Sequence, residues 1–182
     1  LRSYLDMGKL DEAATQFEIA ANKNASSAIV NANMGALQVS QNDYEKAYAT
    51  LGQVSGGSNE VSSKVSAMKG AIEVQMGEYG KAKASFNAAS LNDAANLDKG
   101  LAYLLDGDLT QANGALAQVS EDGELAGIAA YLMAVSAARD GNAVNVGTSL
   151  KKAIDADPSL KSKALSDLEF ANFANAVNEA VK

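Results

Sequence analysis

Two pairs of carboxylates in the sequence are spaced as catalytic or metal-binding groups often are. Asp106 stands two residues before Asp108, and Asp155 stands two residues before Asp157. Neither pair continues into a calcium-binding loop, because the central Gly and the distant Glu of that loop are missing. Both pairs fall at predicted helix ends, where Asp commonly serves in turns and caps. We therefore interpret them as structural residues.

The other motifs that could indicate a catalytic or ligand-binding site are also incomplete. Gly52 and Gly57 have the spacing of a phosphate-binding loop, but Ser58 occupies the position of the phosphate-binding Lys, and the preceding segment is predicted to be helical. The sequence contains no His and no Cys, which removes the usual general base, the commonest metal ligands and any disulfide. No nucleophile motif of the S-x-x-K or G-x-S-x-G type has its supporting residues. We predict that the chain is not an enzyme and has no cofactor or metal site.

One segment, residues 76–89, has close variants along the chain at nearly constant spacing. Its central small residue is separated from those of the other copies by 34, 35, 30 and 34 residues. A fixed period of about 20 to 50 residues indicates a repeat architecture. A second small residue stands twelve positions before four of the central ones, so the repeating unit contains two helices. The central residues are Ala13, Ala47, Ala82, Ala112 and Val146, and the earlier small residues are Gly35, Gly70, Gly100 and Ala134.

Each repeated position has a physical reason. The turn between the two helices requires a left-handed residue, which Gly adopts freely and Asn tolerates. Apolar residues then follow at spacings of three and four, on one helical face. The small residues let the two helices approach closely, and a Phe or Leu four residues after the central Ala is expected to fill the space between one pair and the next. The turn residues are Gly8, Asn42, Gly77, Gly107 and Gly141.

These residues resemble the tetratricopeptide repeat (TPR) family. The third copy carries Gly70, Gly77, Ala82, Phe86 and Ala89 at the family's positions. The fifth copy carries its own small residues and turn Gly, with Pro158 after the second helix, but it departs from the pattern at Val146. The family's Trp is absent, and its Tyr at the eleventh position survives only as Tyr103. The resemblance implies an all-α, right-handed α-solenoid of antiparallel helix pairs.

The repeat period sets the expected domain organisation. Residues 1–160 form the TPR-like array, with copies at about 1–26, 27–60, 61–92, 93–124 and 125–160. The first copy begins inside its leading helix, so we expect it to be truncated and the chain to be a fragment or a processed product. Residues 161–182 fit one or two amphipathic helices, which would cap the apolar flank of the last pair. Alternatively, this segment mediates dimerisation or docks onto another domain through Phe170 and Phe173.

The most apolar stretch is residues 125–138. Its fourteen residues are too few for a transmembrane helix, which needs about 20, so we predict no membrane span. We interpret it as the leading helix of the fifth pair, buried on two sides.

The TPR resemblance also implies a binding surface. In that family, the leading helices line a concave groove, and the corresponding positions here are mostly apolar. Such a groove would accept an apolar or helical segment, unless the helices pack tightly enough to close it. Binding of a peptide carboxylate in the groove is disfavoured, since few basic residues face the groove. We name as groove positions Ile29, Val39, Lys64, Val74, Leu97, Leu101, Leu104, Tyr131 and Val135, with Arg139 at the rim.

Charge is unevenly distributed along the chain. The formal net charge is −7, and residues 93–127 contain seven acidic residues against the single Lys99. This acidity opposes nucleic-acid binding, which requires a basic surface. It would favour a basic patch on a protein partner, or it serves only to keep the surface soluble.

Two functions from different classes follow from these observations. The first is a protein-interaction scaffold that presents an apolar groove and an acidic flank to a protein or peptide partner. The second is a structural spacer or self-associating domain of a larger protein, in which the groove is closed and residues 161–182 make a homo-oligomeric contact. The sequence does not decide whether the protein lies in a bacterial periplasm or envelope or in a cytoplasm.

Overall fold

A computed structural model describes residues 27–90 and 92–182, together with Thr15, Gln16, Ile19 and Lys23. Most of the predicted first copy therefore lies outside the described residues. Within them the chain is all helical and has no strand. The helices are α1 (Ala28–Ser40), α2 (Tyr44–Gly52), α3 (Asn59–Gln75), α4 (Tyr79–Asn87), α5 (Asp93–Leu105), α6 (Leu109–Leu116), α7 (Ala126–Arg139), α8 (Ala143–Ala156), α9 (Leu160–Ser166), a 3-10 helix (Leu168–Phe173) and α10 (Ala174–Ala180).

The helix ends follow the local sequence. The turns within the pairs α1/α2, α3/α4, α5/α6 and α7/α8 contain Asn42, Gly77, Gly107 and Gly141, all with positive φ between 60° and 85°. Asp108 caps α6, because its carboxylate accepts a hydrogen bond from the Gln111 backbone N–H at 3.1 Å. The all-α repeat fold predicted from these residues is confirmed.

The chain divides into two compact units, residues 1–90 and residues 91–182. In the first unit, α1 packs on α2 and α3 packs on α4. Its core contains Ala47, Leu51, Val65 and Ile72, all buried. A Cβ added at Gly35 would lie 2.4 Å from Leu51 Cδ2. Leu51, the large residue after the central Ala, therefore packs against Gly35 of its own helix pair. The sequence pattern predicted instead that this side chain fills the space between one pair and the next.

In the second unit, α5 packs on α6, α7 packs on α8, and the C-terminal helices follow. Phe170, Val177 and Ala180 from the C-terminal helices join the core formed by α7 and α8. Residues 161–182 are therefore packed on the last complete pair, and α10 lies against α8. In the described part of the chain, no helix has both the length and the apolar character needed to cross a membrane.

A buried carboxylate links three helices of the first unit. Glu73 on α3 is only 3% exposed. Its two oxygens accept hydrogen bonds from the Tyr48 hydroxyl of α2 and the Ser85 hydroxyl of α4, both at 2.7 Å. Lys69 Nζ lies 5.2 Å from the centroid of the Tyr48 ring. Because a buried carboxylate without donors is costly, this network fixes how α2 and α4 sit on α3.

The Tyr48 hydroxyl makes the first unit sensitive to high pH. Its hydrogen bond to Glu73, partial burial and the nearby carboxylates of Glu73 and Glu78 raise the pKa of Tyr48 to about 12. A raised pKa gives stability that is fully present below the unfolded pKa of about 10 and is lost as pH rises through the folded value. We expect the free energy of unfolding to fall more steeply between about pH 10 and pH 12 in the native chain than in Tyr48→Phe. Urea unfolding across that range measures the difference, and parallel curves would contradict it.

Candidate functional site

In the first unit, the groove positions differ in exposure. Ile29 on α1 is 61% exposed. Lys64 on α3 is also exposed and forms an ion pair with Glu60 at 2.8 Å. Val39 is half-buried, and Val74 is buried. In this unit, the groove side chains near the starts of α1 and α3 are therefore exposed to solvent, and those near the ends of these helices are partly or fully buried.

In the second unit, the groove positions of α5 lie partly open. Leu97 and Leu101 are half-buried, whereas Leu104 is 2% exposed. The neighbouring Leu105 is 40% exposed. The α5 helix thus keeps a row of leucines in contact with solvent along one side, while Leu104 belongs to the core.

The groove positions Tyr131 and Val135 of α7 are buried, and Tyr131 contacts the chain's own C-terminal segment. Tyr131 and Val135 are 2% and 6% exposed. The Tyr131 hydroxyl donates to Asp167 Oδ2 at 2.6 Å. Its ring meets Phe170 edge to face, with centroids 5.6 Å apart and planes at 74°. Burial, followed by the hydrogen bond to Asp167, raises the pKa of Tyr131.

Arg139, at the rim of the predicted groove, is engaged on two sides. Its guanidinium forms an ion pair with Glu169, which raises the Arg139 pKa through the side-chain hydrogen bond. A second guanidinium nitrogen donates to the backbone oxygen of Leu104 at 3.1 Å. Arg139 therefore ties the C-terminal segment to the end of α5 in this structure and does not project freely from the rim.

The contacts of Asp167, Glu169 and Phe170 with α7 could not be predicted from the sequence. Asp167, Glu169 and Phe170 lie in the segment assigned to capping or docking, and no local periodicity relates them to Tyr131. The only available clue was that two acidic residues and a Phe follow α9, opposite a helix that carries Tyr and Arg. The groove assignment itself stays a prediction.

The acidic region of the second unit is only partly free of counter-charges. Glu121 forms an ion pair with Lys152, which lowers the Glu121 pKa. Asp98 on α5 is half-buried, and this burial raises its pKa. Asp93 and Glu124 line one shallow depression of about 520 Å³. Among the described residues, no cluster of three or more acidic side chains has the geometry of a metal site.

Comparison with known proteins agrees with this architecture. The crystal structure of YrrB, described as a TPR protein with an unusual peptide-binding site, is 19% identical, covers 92% of this chain and 89% of its own, and gives a TM-score of 0.71. A tetratricopeptide repeat protein from Parabacteroides merdae ATCC 43184 is 17% identical, covers 98% and 71% respectively, and gives a TM-score of 0.72. At these identities the likeness concerns the fold. No curated protein matches the sequence.

The family assignment rests on a sequence match. The model of the tetratricopeptide repeat-like domain family matches residues 2–107, more than half of the chain. The matched region includes the turn residues and close-packed glycines of α1 to α5. The chain belongs to the tetratricopeptide repeat-like domain family.

Proposed function

We propose that the chain is a protein-interaction scaffold that holds a partner segment against exposed groove positions, either those of α1 and α3 in the first unit or those of α5 in the second. Repeats of this family form protein-interaction surfaces and are typically non-enzymatic. The observation that carries the proposal is the exposure of Ile29, an isoleucine left 61% in solvent on α1. Burying such a side chain against a partner would contribute about 1.5 to 3 kcal/mol.

The covering of α7 narrows where the partner binds. Tyr131 and Arg139 are engaged by the C-terminal segment, and Val135 is buried. A partner would therefore contact Ile29 and Lys64 of the first unit, or Leu97 and Leu101 of the second. Peptide binding by YrrB supports a peptide as the partner. The acidic surplus around α5 favours a basic segment, whose affinity would fall as salt is raised.

Site-specific photocrosslinking tests this proposal. We expect a photoreactive phenylalanine analogue at Ile29 or Leu101 to crosslink a discrete partner in an extract of the native source. The same analogue at Glu45 or Lys81, which are exposed on the second helices α2 and α4, should give no such product. Ile29→Lys should then weaken binding of the purified partner by at least about tenfold, which corresponds to 1.4 kcal/mol. Equal crosslinking from both sets of positions would contradict the proposal.

Self-association through residues 161–182 is the second candidate, and it is favoured by two exposed leucines. Leu165 is 55% exposed and Leu168 is 87% exposed, while Phe170 is buried and Phe173 packs against the core. If the leucines form an oligomer contact, light scattering should show an oligomer that the double variant Leu165→Glu, Leu168→Glu converts to a monomer. A monomeric native chain would exclude this candidate.

A further inference from the structure

Two carboxylates that follow α9 are bound by side chains of α7. The Asp167 carboxylate accepts a hydrogen bond from the Tyr131 hydroxyl at 2.6 Å. The two oxygens of the Glu169 carboxylate accept hydrogen bonds from two nitrogens of the Arg139 guanidinium. Such paired, charge-assisted hydrogen bonds recognise a carboxylate by its planar shape as well as by its charge. The side chains of α7 therefore select two acidic residues separated by a single residue.

An aromatic ring directly follows the second carboxylate. The Phe170 side chain is 2% exposed and packs edge to face on the Tyr131 ring. Leu168, between the two acidic residues, is 87% exposed, so its side chain adds almost no buried surface. The residues that contact α7 therefore follow the pattern acid, any residue, acid, aromatic.

Capping of the last helix pair does not account for these polar contacts. An end cap stabilises a repeat array by covering its apolar flank and presenting a polar outer face to solvent. Here α10 lies against α8, and its residues Val177 and Ala180 join the core of the last pair. The carboxylates of Asp167 and Glu169 are directed at α7 instead. Residues 167–170 therefore occupy α7 in a way that covering the flank does not require.

The same residues are held mainly by their contacts with α7. Leu168–Phe173 is a 3-10 helix, whose hydrogen bonds have poorer geometry than those of an α-helix. The side chains of Arg139 and Glu169 are 37% and 35% exposed, so solvent screens their ion pair. Phe170 is the buried anchor. A free segment with the same pattern replaces these contacts one for one, whereas a segment without an aromatic residue leaves the place of the Phe170 ring empty.

We propose that residues 167–170 are an internal occupant of a peptide site on α7, and that this site accepts a partner segment with the pattern acid, any residue, acid, aromatic. The internal occupant lowers the affinity for the partner, because only the fraction of molecules with a vacant site binds it. A second copy of the chain is a poor occupant, since it gives up identical contacts of its own while association still costs entropy. The site goes beyond the proposed function, since it uses Tyr131 and Arg139 and no groove position of α1, α3 or α5.

Binding of a labelled peptide to the full chain tests the proposal. The probe is Ser-Asp-Leu-Glu-Phe-Ala-Asn-Phe, the sequence of residues 166–173, and fluorescence anisotropy gives its Kd. We expect Phe170→Ala in the chain to bind the peptide at least about tenfold more tightly than the native chain does, because the site is more often vacant. The double variant Asp167→Asn, Glu169→Gln, which keeps the shape of both side chains, should bind it at least about threefold more tightly. A purely structural segment gives no gain of binding when its own contacts are removed.

Control variants separate specific exchange from loosened packing. In the Phe170→Ala chain, the further change Arg139→Gln should weaken peptide binding by at least about tenfold, through loss of the paired hydrogen bonds. A peptide with Ala in place of its first Phe should bind at least about tenfold less tightly, because the ring supplies most of the buried surface. Ile29→Lys should leave the Kd unchanged, which distinguishes failure at α7 from failure of the proposed groove function. If Phe170→Ala does not fold, the double carboxylate variant replaces it in all three comparisons.

Three results would overturn the proposal. The first is a variant chain that binds the peptide no more tightly than the native chain does. The second is equal binding of the peptide that lacks the first Phe, or a loss of binding caused by Ile29→Lys. The third comes from light scattering: a native dimer that Phe170→Ala converts to a monomer would show that a second copy supplies the segment.

Discussion

Gly70→Leu should lower the free energy of unfolding of the first unit by about 3 kcal/mol, at the upper end of the usual cost of overpacking. A Cβ built at Gly70 would lie 2.8 Å from Phe86 Cζ, well inside the normal contact distance. The ring has little room to retreat, because Phe86 is fully buried. A leucine would add three more carbons in the same direction and force α3 and α4 apart.

A matched substitution in the same helix pair separates this packing effect from helix propensity. Gly80 lies on α4, and a Cβ there would meet nothing within 4 Å. Gly80→Leu should therefore leave stability unchanged or raise it by up to about 1 kcal/mol, the propensity difference between the two residues. Urea unfolding of both variants gives the comparison. Equal stability of Gly70→Leu and Gly80→Leu would show that the two helices do not approach at Gly70.

The repeat fold could be predicted from the sequence because its key positions depend on residue type. A left-handed turn selects Gly or Asn, and Asn42 indeed has a φ of 60°. Close helix approach selects the smallest residue, and Gly70 lies where α3 and α4 approach, against the Phe86 ring. Both requirements act within one helix pair, so they leave a periodic trace in the chain.

The polar network around Glu73 could not be predicted in the same way. A glutamate is seldom fully buried unless its charge is compensated, and periodicity alone assigns it to solvent or to the core without naming donors. Its donors Tyr48 and Ser85 are 25 and 12 residues away. Their contribution arises only when three helices meet.

The contacts between α7 and the C-terminal segment could not be predicted for a related reason. Positions carried over from the TPR resemblance presume that each leading helix faces the groove in the same way. Tyr131 instead bonds Asp167, 36 residues later in a segment outside the period. A segment that occurs once in the chain has no second copy against which its register can be read. Placing it requires the three-dimensional packing of α7 and α8.

Phe170→Ala should lower the free energy of unfolding of the second unit by about 4 kcal/mol, within the range measured for buried Phe truncations. Phe170 is 2% exposed and packs edge to face on Tyr131, so its removal leaves a cavity between the 3-10 helix and α7. Leu168→Ala, two residues earlier and 87% exposed, should change stability by less than about 0.5 kcal/mol. Urea unfolding of both variants distinguishes a packed cap from a loosely attached tail. If both variants are as stable as the native chain, the C-terminal segment does not keep α7 covered. Tyr131, Val135 and Arg139 would then again be candidates for contact with a partner.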